Sequence, residues 1–404
     1  MAPSATETIA PAVEALKLKE VADAGATPEQ APEDVGGGAV GSAPIDDAHG
    51  LPELETNHRE PLKLKGVLEQ FKHFDVTPVI GREYVDVDLA EWLRAPNSDE
   101  LLRDLAITIS RRGVVFFRKQ DNITNDLQKE LVQRLGELTG KPATSGLHIH
   151  PIINASRDRG GHDHEISVIS SVQNRKLYKR FARSLQGAER PQTRRLEWHS
   201  DITFEPIPSD YALLRLTELP STGGDTLWAS GYEVYDRLSP PVQRFLDGLT
   251  SYCAQPAFNE SAADNGFEIY TGARGAPENV GESLEARHPV VRTNPVTGWR
   301  SVFAVGNHVR RIEGLHPDES RRLLDWFVDL VVANHDLQVR YRWHGPNDLA
   351  IWDNRSVYHA ATPDYLEAFG EREGSRAVSL GERPYFDPQS TGRREALAKE
   401  GALL

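Results

Sequence analysis

The sequence predicts a mostly β fold with flanking helices, either a β-sandwich or a jelly roll. Beyond Leu138 the chain consists mainly of short runs with strand composition, separated by Gly, Pro and Asn. Only two helical stretches interrupt these runs, so the chain lacks the regular strand–helix alternation of a doubly wound sheet. No internal repeat, G-x-G-x-x-G motif or Walker loop is present.

The composition is that of a globular protein and excludes several classes of function. Of 404 residues, 39% are hydrophobic and 26% charged, and the formal net charge is −14. This charge argues against a protein that mainly binds nucleic acid or an anionic membrane surface. The single cysteine, Cys253, excludes an internal disulfide or a thiolate zinc site within one chain.

The N-terminal residues lack a basic start and an apolar signal core, and no apolar run approaches the roughly 18 residues of a membrane span. We therefore expect a cytoplasmic protein without membrane contact. The sequence leaves open whether the chain forms a homo-oligomer.

Residues 1–60 are rich in Ala, Pro, Gly and acidic side chains, with "DVGGGAVGSAPIDD" as the clearest flexible run. Such a segment buries too little apolar surface to offset its ordering entropy, so we predict a disordered tail. Residues 61–390 are predicted to form the folded domain, and residues 391–404 a C-terminal tail.

The folded domain is predicted to begin with helices around one buried strand. "DELLRDLAITISRR" is amphipathic and is expected to end near Arg112, with Gly113 as the break and a strand over Val114 to Phe117. Thr124 is a plausible N-cap for the second helix, "NDLQKELVQRLGEL".

The remaining elements are mostly predicted strands. The strand runs are "EISVISSV", "YALLRLTEL", "PVVRT", "SVFAV", "QVRYRW" and "DLAIWDN". The two helical stretches are "EVYDRLSPPVQRFLDGL" and "DESRRLLDWFVDLVVANH".

A candidate metal site begins in "EWHSD", where His199 and Asp201 stand two positions apart. In an extended strand both side chains point the same way. His359, in "DLAIWDNRSVYHAATPDY", follows a later strand and can complete two histidines and one carboxylate. Non-haem Fe(II) oxygenases use this set, and catalytic zinc also accepts it. The alternative is a histidine that pairs with a neighbouring carboxylate.

Two arginines follow His359 in "FGEREGSRAVSLGERPYF". Arg372 and Arg376 stand four apart, so on a strand both guanidinium groups face one side. The alternative is a charged surface turn with Glu371 and Glu373. The apolar run "AVSL" favours a strand that enters a core.

The longest motifs resemble one family. "WHSDITFEPIPSDYALLRLTELPSTGGDTLWASGYEVYDRLS", "LHIHP", "HPVVRTNPVTG", "NDLAIWDNRSVYHAATPDY" and "RAVSLGERPYF" resemble, in the same order, the taurine dioxygenase family. This is the TauD/TfdA group of Fe(II)- and 2-oxoglutarate-dependent dioxygenases. The resemblance covers roughly residues 66–387. It implies that residues 61–390 form a catalytic domain with a double-stranded β-helix (jelly roll) core. The N-terminal tail and the insertions "GKPATS" and "YTGARGAPENVGES" resemble those of fungal sulfonate dioxygenases.

The resemblance implies roles for the cofactor residues. His199, Asp201 and His359 match the iron ligands and so form the catalytic centre. Thr226, in "GGDTLW", matches a threonine that hydrogen-bonds 2-oxoglutarate, and Arg372 matches the arginine that pairs with its distal carboxylate. The implied cofactors are Fe(2+), 2-oxoglutarate as cosubstrate and O2.

The resemblance also implies substrate contacts, with some departures. Arg376 and His150 match residues that hold the anionic head group of the substrate. Arg195 stands where bacterial taurine enzymes have an asparagine, and His308 where they have an aromatic residue. An extra arginine suits a different or more strongly anionic substrate; alternatively, Arg195 pairs with Glu197 or another acidic neighbour.

These features predict a dioxygenase that hydroxylates a small organic anion. The leading hypothesis is a sulfonate such as taurine, with an aldehyde, sulfite, succinate and CO2 as products. Alternatives are a sulfate ester, carboxylate or amino-acid-derived substrate with the same cofactors, or a zinc hydrolase.

Overall fold

The computed structural model describes residues 58–152, 163–177, 195–362, 364 and 369–401. The predicted N-terminal tail lies outside these residues except for its last three positions. Among the described residues, no helix is long and apolar enough to cross a membrane.

Helices and strands are numbered in chain order within the described residues. The helices are α1 (Leu89–Arg94), α2 (Ser98–Arg112), α3 (Asn125–Leu138), α4 (Ser171–Leu177), α5 (Gly231–Asp236), α6 (Pro240–Leu246), α7 (Pro256–Asn265), α8 (Pro317–Ala333) and α9 (Arg393–Lys399). The strands are β1 (His73–Asp75), β2 (Arg82–Tyr84), β3 (Val114–Phe117), β4 (Ile166–Ser170), β5 (Ser209–Glu218), β6 (Thr226–Ser230), β7 (Thr250–Ala254), β8 (Glu285–Pro289), β9 (Val291–Thr293), β10 (Arg300–Val302), β11 (Val309–Ile312), β12 (Gln338–Tyr341), β13 (Leu349–Asp353), β14 (Val357–Ala361) and β15 (Glu373–Leu380).

Two sheets position the candidate site. The larger has seven strands in the order β1-β2-β3-β13-β5-β15-β4, and the smaller has the order β12-β6-β14. All neighbours in these sheets are antiparallel except β2 and β3. The mostly β architecture with flanking helices is therefore confirmed.

The central strands β3 and β13 of the seven-stranded sheet are buried on both faces, which explains their apolar sequences, whereas the edge strand β1 is largely exposed. In β3, Val114 and Phe116 join the core cluster shared with the smaller sheet, whereas Val115 and Phe117 join the cluster beneath α1, α2 and α3. This two-residue alternation follows from the pleat of the strand. The predicted end of α2 at Arg112 and the Thr124 cap of α3 are both confirmed.

The smaller sheet faces the same interior core. Trp228, Val339 and Val357 belong to the cluster that also holds Phe116 and Trp352 of the larger sheet. Positions two apart on a strand share a face. Thr226 on β6 and His359 on β14 therefore point toward this interior, where the candidate site lies.

Three predicted segments differ in detail. The helical stretch after Gly231 divides into α5 and α6, because Pro240 lacks the N–H that a continuous helix requires and instead begins α6. "EISVISSV" leaves strand β4 at Ser170 and continues as α4. Within the predicted C-terminal tail, α9 packs on α5, and Arg393 donates a hydrogen bond to Glu233.

Candidate active site

The structure brings the three predicted metal ligands together. Their ligand atoms all lie within 4.8 Å of one another. His199 and His359 form an antiparallel bridge in which each backbone N–H donates to the other's carbonyl, at 3.1 and 2.8 Å. Asp201 is two residues further along, and its Oδ1 is 3.8 Å from Nε2 of each histidine.

Backbone contacts orient His199 and Asp201. His199 Nδ1 lies 2.7 Å from the carbonyl oxygen of Glu197, which can only accept, so Nδ1 carries the proton and Nε2 presents its lone pair. The backbone N–H of Asp201 donates to Asn354 Oδ1 at 3.1 Å. The first contact orients the His199 ring, and the second fixes the backbone from which the Asp201 side chain extends.

Gly306 lets the chain pass close to the backbone of Trp198 and His199. A Cβ at this position would lie 2.6 Å from the carbonyl oxygen of Trp198 and 2.8 Å from Cα of His199, and the backbone φ of +110° disfavours other residues. The adjacent Trp198 is buried in the core. Gly306 therefore lets the chain before β11 pack directly against residues 198–201, the metal-ligand segment.

Arg376 dominates the electrostatics of Asp201. Its Nη1 donates to Asp201 Oδ1 at 2.9 Å. Burial alone raises the pKa of Asp201, but the charge of Arg376, with contributions from His359 and His199, outweighs this and lowers the pKa well below its ordinary value. The carboxylate is thus held in its ionised, metal-binding form.

The residues present fit a divalent metal ion. Asp201 Oδ2 is buried and has no hydrogen-bond partner, so a cation would satisfy it. Burial lowers the pKa of His359 to about 3, which keeps this imidazole neutral as a ligand must be. Two imidazoles and one carboxylate match the facial set of non-haem iron sites.

Thr226 and Arg372 form a second, adjoining group of donors. Arg372 Nη2 donates to Thr226 Oγ1 at 3.2 Å, and its Nε donates to the carbonyl oxygen of Gly224 at 2.9 Å. A third residue joins them, because Trp343 Nε1 also donates to Thr226 Oγ1 at 3.2 Å. All three side chains are buried, and a dicarboxylate fits this cationic, donor-rich environment.

His150 and His308 lie near the metal ligands and are uncharged. His150 Nδ1 accepts the N–H of Ile152 at 3.1 Å, which places the proton on Nε2. Burial lowers the pKa of His150 well below its ordinary value and that of His308 to about 3. The ring of His308 is centred 5.8 Å from that of His199.

Arg195 binds a helix. Its Nη2 donates to the carbonyl oxygen of Asp325 at 2.8 Å and lies 3.0 Å from a carboxylate oxygen of Asp329, both in α8. These contacts correspond to the predicted alternative in which Arg195 pairs with acidic neighbours. The partners are Asp325 and Asp329 rather than Glu197.

Comparison with known proteins assigns the chain to a family. The model of the "Taurine catabolism dioxygenase TauD, TfdA family" matches residues 72–378. The chain belongs to the TauD/TfdA family. The matched range contains all three candidate ligands and both arginines that follow them.

Several relatives of this TauD/TfdA protein cover most of its length. The alpha-ketoglutarate-dependent dioxygenase btcD of Neocamarosporium betae is 53% identical, with 84% of this chain and 98% of the relative aligned. An alpha-ketoglutarate-dependent sulfonate dioxygenase of Saccharomyces cerevisiae is 31% identical over 79% of this chain and 69% of its own length.

The fold matches a solved structure at lower sequence identity. A taurine dioxygenase from Burkholderia xenovorans aligns with a TM-score of 0.57 and 23% identity, covering 79% of this chain and 94% of the other. At this identity the likeness shows the fold alone. It agrees with the observed sheets.

The sequence patterns do not predict two residues of the site. The side-chain oxygen of Asn354 accepts a hydrogen bond from the backbone N–H of Asp201. Trp343 is predicted only as the last residue of the strand run "QVRYRW". The register of β6 and β12, which pairs Thr226 with Tyr341, brings Trp343 to Thr226, and no local pattern reveals such a register.

Proposed function

We propose that this TauD/TfdA protein is an Fe(II)- and 2-oxoglutarate-dependent dioxygenase that hydroxylates a small organic anion. The observation that carries the proposal is the His199, Asp201 and His359 cluster, whose ligand atoms lie within 4.8 Å of one another, beside the buried Arg372 and Thr226 pair. A zinc hydrolase has no need for the second group. The names of the relatives also support the oxygenase.

Each group of residues has one task in this proposal. The two histidines and Asp201 hold the iron, while Arg372 and Thr226 hold the distal carboxylate of 2-oxoglutarate. Bound Fe(II) and 2-oxoglutarate supply the activation of O2, with decarboxylation of the keto acid to succinate and CO2 and hydroxylation of a substrate carbon. The protein's part is to orient that carbon and to exclude water.

The sheets support the predicted jelly roll. We assign the seven-stranded and three-stranded sheets to the two walls of a double-stranded β-helix, because both contribute to one interior core. Residues 61–390 are proposed as the catalytic domain and residues 391–404 as a C-terminal segment.

Arg376 is the proposed anchor of the substrate's anionic head group. Among the described residues, Arg376 donates a side-chain hydrogen bond only from Nη1, to Asp201. Its Nε is buried and has no hydrogen-bond partner. A buried guanidinium donor without an acceptor is costly, and an anionic oxygen removes this cost.

The charge balance favours an anionic substrate. Fe(II), Arg372 and Arg376 carry four positive charges, whereas Asp201 and the 2-oxoglutarate dianion carry three negative charges. The remaining positive charge in a buried site is strongly unfavourable unless a negatively charged head group of the substrate pairs with it. His150, whose proton is on Nε2, is proposed as a further donor to this head group, and His308 as a neutral wall residue.

We propose a sulfonate such as taurine as the leading substrate class. Hydroxylation of the carbon beside sulfur makes sulfite a leaving group, so the products are sulfite and an aldehyde. A sulfonate dioxygenase among the relatives supports this class. A sulfate ester, carboxylate or amino-acid-derived substrate stays as the alternative with the same cofactors, and a sulfate ester dioxygenase is also among the relatives.

One experiment separates these proposals. The Fe(II)-loaded protein is incubated with 2-oxoglutarate, O2 and matched sulfonates, sulfate esters and carboxylates, and succinate and sulfite are quantified. We expect succinate on addition of an anionic substrate, sulfite with sulfonates, and loss of both in Arg372→Ala. Succinate without sulfite throughout the sulfonates contradicts that substrate class only, whereas oxygen-independent hydrolysis that survives Arg372→Ala supports the zinc hydrolase.

A further inference from the structure

The Thr226 hydroxyl receives two hydrogen bonds from groups that can only donate. Arg372 Nη2 and Trp343 Nε1 both lie 3.2 Å from Thr226 Oγ1. A hydroxyl has one proton and two acceptor lone pairs, while a guanidinium and an indole N–H have no acceptor to offer. Both lone pairs are therefore engaged, and Thr226 must donate its own proton to a third group.

No acceptor for that proton lies among the described residues. Thr226 Oγ1 donates to none of them, and the nearby carbonyl of Gly224 accepts from Arg372 Nε. Thr226 is only 3% exposed, so bulk water does not readily supply the acceptor. The arrangement selects a ligand that presents an acceptor oxygen to Thr226.

The position of the Trp343 indole is determined by packing. Its ring meets Tyr341 edge-on, with centroids 5.0 Å apart and an interplanar angle of 84°. Tyr341 is in turn stacked on Phe116 of the larger sheet at 4.0 Å and 6°. Edge-to-face and stacked pairs in a close-packed interior restrict ring rotation, so the indole N–H is held in one direction.

We propose that Trp343 is a positioning residue for 2-oxoglutarate, acting through Thr226. Its indole N–H occupies one lone pair of Thr226 and thereby turns the hydroxyl proton toward the ligand carboxylate. Arg372 supplies the charge, and Trp343 determines the direction of the neutral hydrogen bond. This inference rests on the proposed function, in which Thr226 and Arg372 hold the cosubstrate.

A purely structural role for Trp343 makes a different prediction. A buried indole N–H needs an acceptor for its own sake, and Thr226 supplies one. In that case removal of the N–H lowers stability but leaves 2-oxoglutarate affinity unchanged. Ligand affinity, measured apart from turnover, therefore distinguishes the two roles.

The test is a double-mutant cycle on the full chain loaded with Mn(II). Affinity for 2-oxoglutarate is measured by isothermal titration calorimetry in the absence of primary substrate. The proteins compared are the wild type, Trp343→Phe, Thr226→Val and the double variant. We expect Trp343→Phe to raise the Kd about three- to tenfold, the size of one lost hydrogen bond. In the Thr226→Val background the same change has no further effect, because the hydroxyl it orients is absent.

Controls separate positioning from general damage. Trp92→Phe replaces a buried tryptophan of α1 in the cluster under the helices and is expected to leave the Kd unchanged. Mn(II) affinity, measured alongside, is expected to be equal in all variants. If Trp343→Phe does not fold, benzothienylalanine at position 343 keeps the ring and removes only the N–H.

The outcomes are distinct. The positioning role of Trp343 is overturned if folded Trp343→Phe binds 2-oxoglutarate with an unchanged Kd, or if Trp343→Phe raises the Kd equally with and without the Thr226 hydroxyl. Either result leaves the proposed function intact. If the unchanged Mn(II) protein does not bind 2-oxoglutarate at all, the proposed function itself fails.

Discussion

At the scale of single residues, Asp201 is shared between two tasks. It belongs to the metal-ligand cluster and also accepts a hydrogen bond from Arg376. The same arginine keeps a buried Nε without a partner. Arg376 therefore links the metal ligand to the proposed head-group site, and its replacement affects both.

Replacement of Arg376 tests this link. We expect Arg376→Ala to raise the KM for the anionic substrate about 10- to 100-fold, the cost of a lost charge-assisted hydrogen bond, with little change in the KM for 2-oxoglutarate. Arg376→Lys keeps the charge without the planar fork and should recover only part of the loss. Because Arg376→Ala also removes the hydrogen bond to Asp201, metal affinity is measured separately by titration, and the KM values are corrected for any change in it. Equal substrate KM values in all three proteins would contradict the anchor role.

At the scale of elements, the metal-ligand segment is held from several sides. A short 3-10 turn, Arg195–Glu197, precedes His199 and binds α8 through Arg195. Beyond it, His199 bridges to β14 and to Gly306. Contacts with three separate parts of the chain therefore fix the direction of a segment that has little regular structure of its own.

The contacts of Arg195 lead to a prediction that separates its two suggested roles. Because its side chain binds α8, we expect Arg195→Ala to leave the substrate KM within about twofold and to lower the free energy of unfolding by up to about 1 kcal/mol, as for a partly exposed ion pair. Arg195→Lys should restore part of this stability. Steady-state kinetics and chemical denaturation measure the two quantities, and a KM rise above tenfold in a fully folded variant would indicate substrate contact instead.

At the scale of the whole molecule, the fold buries five of the described histidine side chains in their neutral form. Burial lowers the pKa in every case, to about 3 for His148, His288, His308 and His359 and well below its ordinary value for His150. The unfolded chain binds protons at these positions below about pH 6.5, whereas the folded protein does not. Stability is therefore complete above pH 6.5 and falls as the pH decreases toward 3.

His288 tests this sign outside the metal ligands. Its Nε2 donates to the carbonyl oxygen of Thr203, and its side chain is 1% exposed. We expect the metal-free protein to lose about 2 kcal/mol of stability between pH 7 and pH 5 through this residue alone. Chemical denaturation of His288→Gln at several pH values should show a correspondingly shallower dependence, while the same change at exposed His344 should not. Asp236, whose pKa burial raises to about 6, acts in the opposite direction but is common to all variants.

Local patterns in the sequence determined many of the helices and strands and pointed to the candidate metal ligands. The bounds of α2 and β3 follow from helical periodicity, the Gly113 break and a continuous apolar run. His199 and Asp201 stand two positions apart in the sequence, and although a turn rather than a regular strand begins at Asp201, this short spacing keeps their side chains within reach of one another. These properties depend on neighbouring residues, so the sequence contains them directly.

Only the tertiary structure decided which distant side chains meet. Arg195 binds α8, Asn354 supports Asp201, and Trp343 reaches Thr226 through the register of β12 on β6. Each contact joins residues far apart in the chain, and its geometry depends on sheet register, on which face a side chain occupies and on rotamer choice within a packed interior. No local pattern specifies these quantities, because they arise only when separate elements pack against one another.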